Sequence, residues 1–421
     1  MKTKYVTEFL GSSITATTSC ADSAKYLAKR ITQQPFAFML ASAIMIGLAA
    51  FATPLAPAST LTVLHSFAGS PDGSTPYGSL VRDSSGNLYG TTYNGGTSFG
   101  GTVFKTTPSG VTTVLHSFAG GFSDGQLPYA GLVMDASGNL YGTTSQGGTQ
   151  NDGTVFKITQ TGTITILHSF TGTQQGSDGA EPYAGLTIDS SGNLYGTTYY
   201  GGKYNMGTVF KTTSGGTTTV LYSFSGVGSD GSNPWGGVVR DSSGNLYGTT
   251  YYGGSGRQGV LFKLSATNNL TLLLTFGSGP GSGAYPHAGL ILDSSGNLYG
   301  TTCQGGTSNL GTVFTITNNG GNPHLLHSFT GQTTDGACPY DVLVRDSSGN
   351  LFGTTLQGGT NNVGVVFKVA STVTTLLHSF AGTADGSDPW AGLVLDSSGN
   401  LFGTASAGGA HSSGTVFKLV P

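Results

Sequence analysis

The segment G-N-L-(Y/F)-G-T occurs seven times in this chain, with its Asn at positions 87, 139, 193, 245, 297, 350 and 400. The spacings are 52, 54, 52, 52, 53 and 50 residues. So regular a period means one supersecondary unit stacked on copies of itself, because a unit of this size cannot cover its own apolar face. Within a unit the sequence reads as four short β segments, for example 79–83, 88–92, 101–106 and 112–118, separated by Gly, Ser, Asn and Asp clusters. No helical period occurs after residue 60. Four strands in about 50 residues make a propeller blade, and seven blades fall within the usual four to eight. A parallel β-solenoid would need shorter coils and capping units, whereas the first and last units here are as regular as the rest.

The phase of the repeat adds a constraint. If a blade runs from G-L-V-x-D through L-Y-G-T-T and G-T-V-F-K to V-L-H-S-F, the chain starts with a lone fourth strand at 61–67 and stops on a third strand at Val420. The expected fold is therefore an all-β, seven-bladed β-propeller of four-stranded blades over 59–421, closed by the N-terminal strand completing the last blade. That arrangement removes both open edges.

Composition narrows the functional classes. There are 71 glycines in 421 residues, 10% aromatic and 8% charged residues, and a formal net charge of -3. Glycine without a Gly-X-Y period, accompanied by aromatics, excludes collagen and argues against disorder. The chain also lacks the basic footprint of a nucleic-acid binder, and none is expected as a partner.

Residues 1–58 read as a signal peptide or N-terminal leader. A basic cluster (Lys25, Lys29, Arg30) precedes an apolar run at 36–52, Pro54 breaks it, and Ala56-Pro57-Ala58 offers small residues for cleavage before Ser59. The 17-residue run is at the lower limit for spanning a bilayer, so retention as a membrane anchor is the alternative. The protein is expected outside the cell, secreted or on the surface, as a soluble monomer. Cys20 would leave with the leader, and the remaining pair, Cys303 and Cys338, can form one bridge in an oxidising compartment. In an antiparallel four-strand blade the connections after strands two and four emerge on the same side, which puts both cysteines there, in neighbouring blades. A disulfide between them is expected.

With G-N-L-Y-G-T-T, G-G and G-T-V-F-K in its units, the sequence resembles the GloVer tandem repeat, a family of exported bacterial repeat proteins. The resemblance covers nearly all of 61–420. It implies secretion or surface display and no established catalytic activity.

The recurring polar residues have structural readings. In D-(S/A)-S-G-N the Asp (83, 135, 189, 241, 293, 346, 396) can cap a tight turn whose Gly takes positive φ, and it lacks the oxygen ladder of a calcium loop. The Lys of V-F-K (105, 157, 211, 263, 368, 418) is expected to pair with these Asp residues; Thr315 replaces it in unit five. Histidines 65, 116, 168, 327 and 378, replaced by Tyr222 and Leu274 in two units, recur on outer strands of separate blades. They cannot converge on one metal ion and are expected to pack or hydrogen-bond between blades.

One position carries the functional expectation. After the Pro that leads into each innermost strand stand Tyr77, Tyr129, Tyr183, Trp235, His287, Tyr340 and Trp390, a set expected to ring one mouth of the channel. Asp-Gly pairs at Asp72, Asp124, Asp178, Asp230, Asp335 and Asp385 precede six of them. Aromatic faces with carboxylates suit carbohydrate or a small amphipathic ligand, against a purely structural role as wedges between blades. Of the 17 acidic residues after position 58, 13 belong to the repeated Asp positions, leaving Asp152, Glu181, Asp341 and Asp388. No catalytic motif, metal site or cofactor is expected. The reading is an exported binding or surface-interaction scaffold. The alternative is a lactonase-, lyase- or glycosidase-like enzyme with its site at the mouth, which would require an asymmetric cluster of polar groups at the axis.

Overall fold

The computed structural model describes residues 59–421 apart from 173–177, 227–229 and 278–282. The expected leader lies outside the described residues. Regular structure among them is entirely strand, and none of it is a helix long and apolar enough to cross a membrane.

Blade 1 consists of Val81–Arg82, Leu88–Thr92, Thr102–Thr106 and Thr112–Ser117, hydrogen-bonded antiparallel in that order from the axis outward. Five further blades repeat the order, and blade 6 adds Gly336–Pro339 beside Leu351–Gly358. Blade 7 takes three strands from the C-terminal end, Val394–Leu395, Leu401–Ala405 and Thr415–Val420, and its outer strand from Thr60–Ser66. In that pairing Leu61 faces Leu419 and Val63 faces Phe417.

The middle strands do not alternate in polarity, because neighbouring blades cover both of their faces. Leu88–Thr92 is buried throughout, and Thr102–Thr106 is buried except at Lys105. The core lies between blades. Tyr89, Val103, Phe118, Leu132, Leu140, Phe156 and Ile158 join blades 1 and 2, with Phe118 edge-on to Phe156 at 5.2 Å. Phe67, Leu80, Leu88, Phe104, Phe402 and Val416 make the equivalent junction between blades 7 and 1. Each buried ring contributes about 1.5–3 kcal/mol by leaving water. The Gly of L-Y-G-T is required by this packing: a Cβ on Gly90 would stand 2.7 Å from both Leu80 and Phe104.

The Asp turn forms as its chemistry predicts. The Asn87 backbone N–H donates to Asp83 Oδ1 at 2.8 Å, Asn87 Nδ2 donates to Oδ2 at 2.8 Å, and Gly86 adopts φ +86°. Two expectations need correction. The lysines do not pair with these carboxylates: among the described residues the ion pairs are all His–Asp. Tyr89 lies directly across from Lys105, so its hydroxyl reaches Asp83 at 3.1 Å while Lys105 Nζ sits 5.6 Å over its ring. The innermost strand is also shorter than 79–83, with only Val81 and Arg82 paired. Nearer the axis adjacent blades converge until a Cβ on Gly131 would lie 2.2 Å from the Ser79 carbonyl oxygen. There is no room for a regular ladder.

Candidate functional site

Each blade is delivered to the axis by a clamped residue before Pro. Thr75, Leu127, Glu181, Asn233, Tyr285, Cys338 and Asp388 all adopt φ between 51° and 57°, a left-handed conformation that non-glycine residues rarely take. Hydrogen bonds on both sides hold it: Leu127 N–H donates to Gly100 O of the preceding blade at 2.8 Å, and Ser145 N–H donates to Leu127 O at 3.1 Å. The Pro that follows packs on a glycine of that preceding blade; a Cβ on Gly101 would stand 2.7 Å from Pro128 Cδ. The next residue is thereby aimed at the axis.

That residue is the aromatic. All seven predicted side chains meet in one closed collar. Ring centroids are 5.0 Å apart for Tyr77–Tyr129, 5.4 Å for Tyr129–Tyr183, 4.9 Å for Tyr183–Trp235 and 5.5 Å for Trp235–His287. The circuit is completed at 4.1 Å for His287–Tyr340, 4.3 Å for Tyr340–Trp390 and 5.2 Å for Trp390–Tyr77. Across it, the hydroxyls of Tyr129 and Tyr340 act on one another. Burial raises the Tyr129 and Tyr340 hydroxyls far above the ordinary tyrosine value. It also lowers His287 to about 4, so this imidazole is neutral at pH 7, and its Nδ1 is buried without a partner.

The collar lines a cavity of about 240 Å³ whose remaining wall comes from the innermost segments. Directly after the aromatic the repeat places Gly78, Ala130, Ala184, Gly236, Ala288 and Ala391, and in blade 6 alone Asp341. Its Oδ2 accepts from Ser79 Oγ at 2.5 Å and from Gly392 N–H at 2.7 Å; its Oδ1 accepts from Val342 N–H at 2.7 Å. Burial raises this carboxyl above its ordinary value against the pull of those three donors. Deep in the molecule, Asp341 keeps part of its surface open, toward the cavity it lines. The sequence reading missed Asp341 and Ser79 as site residues; the signal was a carboxylate at a position otherwise restricted to Gly and Ala.

Two other unrepeated acids adjoin the collar. Tyr183 donates its hydroxyl to Glu181 at 2.6 Å, and the Asp388 charge acts on Tyr77. An outer tier of tyrosines flanks blades 3 to 5: Tyr199 lies 5.2 Å from Trp235 and Tyr251 4.6 Å from His287. Tyr200 and Tyr252, 40% and 43% exposed, extend this tier into solvent.

The Asp-Gly carboxylates, by contrast, are not free to serve a ligand. Asp124 accepts from the Ala119 N–H at 2.9 Å and pairs with His116 Nε2 at 3.1 Å, and the same histidine stands edge-on to Phe118 at 4.8 Å. Equivalent pairs join His65 to Asp72, His168 to Asp178, His327 to Asp335 and His378 to Asp385. Tyr222 bonds Asp230 at 3.2 Å in their place. The apolar Leu274 precedes the one unit that lacks the Asp. These groups fasten the outer strand to the loop that enters the next blade. Among the described residues no group of His, Cys, Asp or Glu is placed to hold a metal ion.

Cys303 and Cys338 stand on the collar side in bonding contact, with Cα atoms 3.9 Å apart, between blades 5 and 6. At this junction Thr301 Oγ1 is buried without a partner, whereas its counterpart Thr91 donates to Ala130 O at 2.8 Å.

Fold and site together define a seven-bladed β-propeller with an aromatic collar over an axial cavity. The sequence matches the Gloeobacter/Verrucomicrobia repeat family over residues 51–177, 173–343 and 323–421, and the chain belongs to that family. No curated protein sequence matches it. Among solved structures it is similar to an oligogalacturonate lyase in complex with manganese, at 12% identity and TM-score 0.53 over 86% of this chain and 92% of that one. It is also similar to a gluconolactonase from Xanthomonas campestris (14%, TM-score 0.41, covering 86% and 89%) and to a chain of a nidogen/laminin complex (14%, TM-score 0.42, covering 72% and 94%). At such identities the likeness is one of fold alone.

Proposed function

We propose that the protein is exported and acts as a binding module whose ligand, a carbohydrate or a small amphipathic molecule, sits at the aromatic collar. The observation that carries this reading is the unbroken circuit of seven rings over a single cavity. Rings used only as wedges between blades would not need to meet one another across the axis. Exposed Tyr200 and Tyr252 continue the aromatic surface outward, as a ligand longer than one ring would use it. Export is supported by the leader-like residues 1–58 and by the adjacent cysteines.

A second reading, an enzyme at the same mouth, is favoured by one observation: the break in the repeat at Asp341 and Ser79 is the local asymmetry a catalyst requires. Against it, Asp341 is the one carboxylate in the cavity lining, with no second carboxylate beside it to share proton transfer. A glycan array combined with tryptophan emission tests the proposal. Saturable binding that shifts the emission and leaves the ligand unaltered is expected; conversion of the ligand, lost in Asp341→Ala, would establish the enzyme instead.

A further inference from the structure

The cavity beneath the collar contains a carboxylate and no countercharge. Its lining includes no Lys or Arg, and its histidine is neutral at pH 7. The partners of Asp341 are a hydroxyl and two backbone N–H groups. Such donors orient a carboxyl group but carry no full positive charge; burial raises this carboxyl above its ordinary value, and a cation beside it would favour the charged form. The rings around it belong to the same three adjacent blades as its partners: Tyr340 directly precedes Asp341, Trp390 stands two residues before Gly392, and Tyr77 two before Ser79. Aromatic faces carry negative quadrupole potential and attract cations.

We infer that this cavity binds a small quaternary ammonium ion, held by the Asp341 carboxylate and the rings of Tyr77, Tyr340 and Trp390. The inference rests on the reading of the collar as a binding site and narrows its ligand to a charged amphipathic molecule. Hydrogen-bond supply selects the quaternary class. A carboxylate offers about four lone-pair positions, and Asp341 already uses three. A primary ammonium would bring three donors to a carboxylate with about one position left, whereas a methylated ammonium needs none. A volume of about 240 Å³ suits an ion of that size.

The two tryptophans of the chain, Trp235 and Trp390, both belong to the collar, so intrinsic emission reports on this site. The full-length protein is titrated with choline, with its neutral isostere 3,3-dimethyl-1-butanol and with a panel of neutral oligosaccharides. Choline is expected to shift the emission saturably, and the isostere to bind about tenfold more weakly or worse. Asp341→Ala installs the residue found at Ala130, Ala184, Ala288 and Ala391. It should therefore fold, checked by its melting temperature, and bind choline no better than the isostere. Equal binding of choline and isostere by the unaltered protein overturns the inference whatever the variant does, as does undiminished choline binding by a folded Asp341→Ala. A response to oligosaccharides alone overturns it and leaves the collar reading intact. Silence toward all three overturns both.

Discussion

At the scale of single residues, the structure divides the acidic side chains by what they face. The seven turn aspartates and the loop aspartates 124, 178 and 335 are all held below the ordinary carboxylate value. Burial opposes this, but hydrogen bonds from Asn, His and backbone N–H groups outweigh it. A group with a depressed folded pKa contributes stability above its unfolded value and loses it as pH falls through the folded one. His287, lowered by burial to about 4, follows the same sign: the unfolded chain protonates first, so stability declines as pH falls from about 6.5 toward 4. Thermal melting against pH should therefore show two acid stages, one contributed by His287 between about 6.5 and 4 and one from the aspartates below about 4. His287→Tyr, which restores the residue of four other blades, should remove the upper stage and keep the lower. An unchanged upper stage in that variant would show that His287 is not its source.

At the scale of elements, the strand Thr60–Ser66 and the Phe67 that follows join blade 7 to blade 1. Phe67 is fully buried among blade 1 and blade 7 residues, whereas Val63 is only partly buried. Phe67→Ala should cost about 3–5 kcal/mol, and deletion of 59–67 should lower the melting temperature of the whole ring, as differential scanning calorimetry can measure. Melting unchanged by the deletion would mean that the ring does not depend on this strand. The cysteine pair makes a similar claim between blades 5 and 6. A bridge closing 35 residues contributes about 3–4 kcal/mol by the chain-entropy argument. Non-reducing peptide mapping of protein from an oxidising compartment should recover Cys303 joined to Cys338, and reductant should lower the melting temperature. The strands, turns and blade phase were legible because each is written seven times, and errors at one copy are corrected by the others. The shortened inner strand was not, since crowding at the axis is a property of seven blades together. Nor could the sequence say that Asp124 and its equivalents turn toward histidine rather than the mouth. The coupled loss of histidine at Leu274 and of the following Asp was the visible clue.

At the scale of the whole molecule, a nearly symmetric scaffold presents a deliberately unequal interior. Equivalent clamps place seven rings at one mouth, and the aromatic position that ends up in the collar was legible from its place after each Pro. Asp341 was harder to see, because its meaning depends on six Gly and Ala residues that become neighbours only when the ring closes. The central claim is that ligand binding occurs at this collar. It is tested most directly by isothermal titration of the best ligand from the glycan and ammonium screens against the unaltered protein and against Tyr77→Ala and Trp390→Ala, with folding verified by melting. The account predicts a loss of affinity of about tenfold in each folded variant, equivalent to about 1.4 kcal/mol and within the roughly 0.5–1.5 kcal/mol that an aromatic contact contributes beyond its buried area. Affinity unchanged in both variants would place the ligand elsewhere and contradict it.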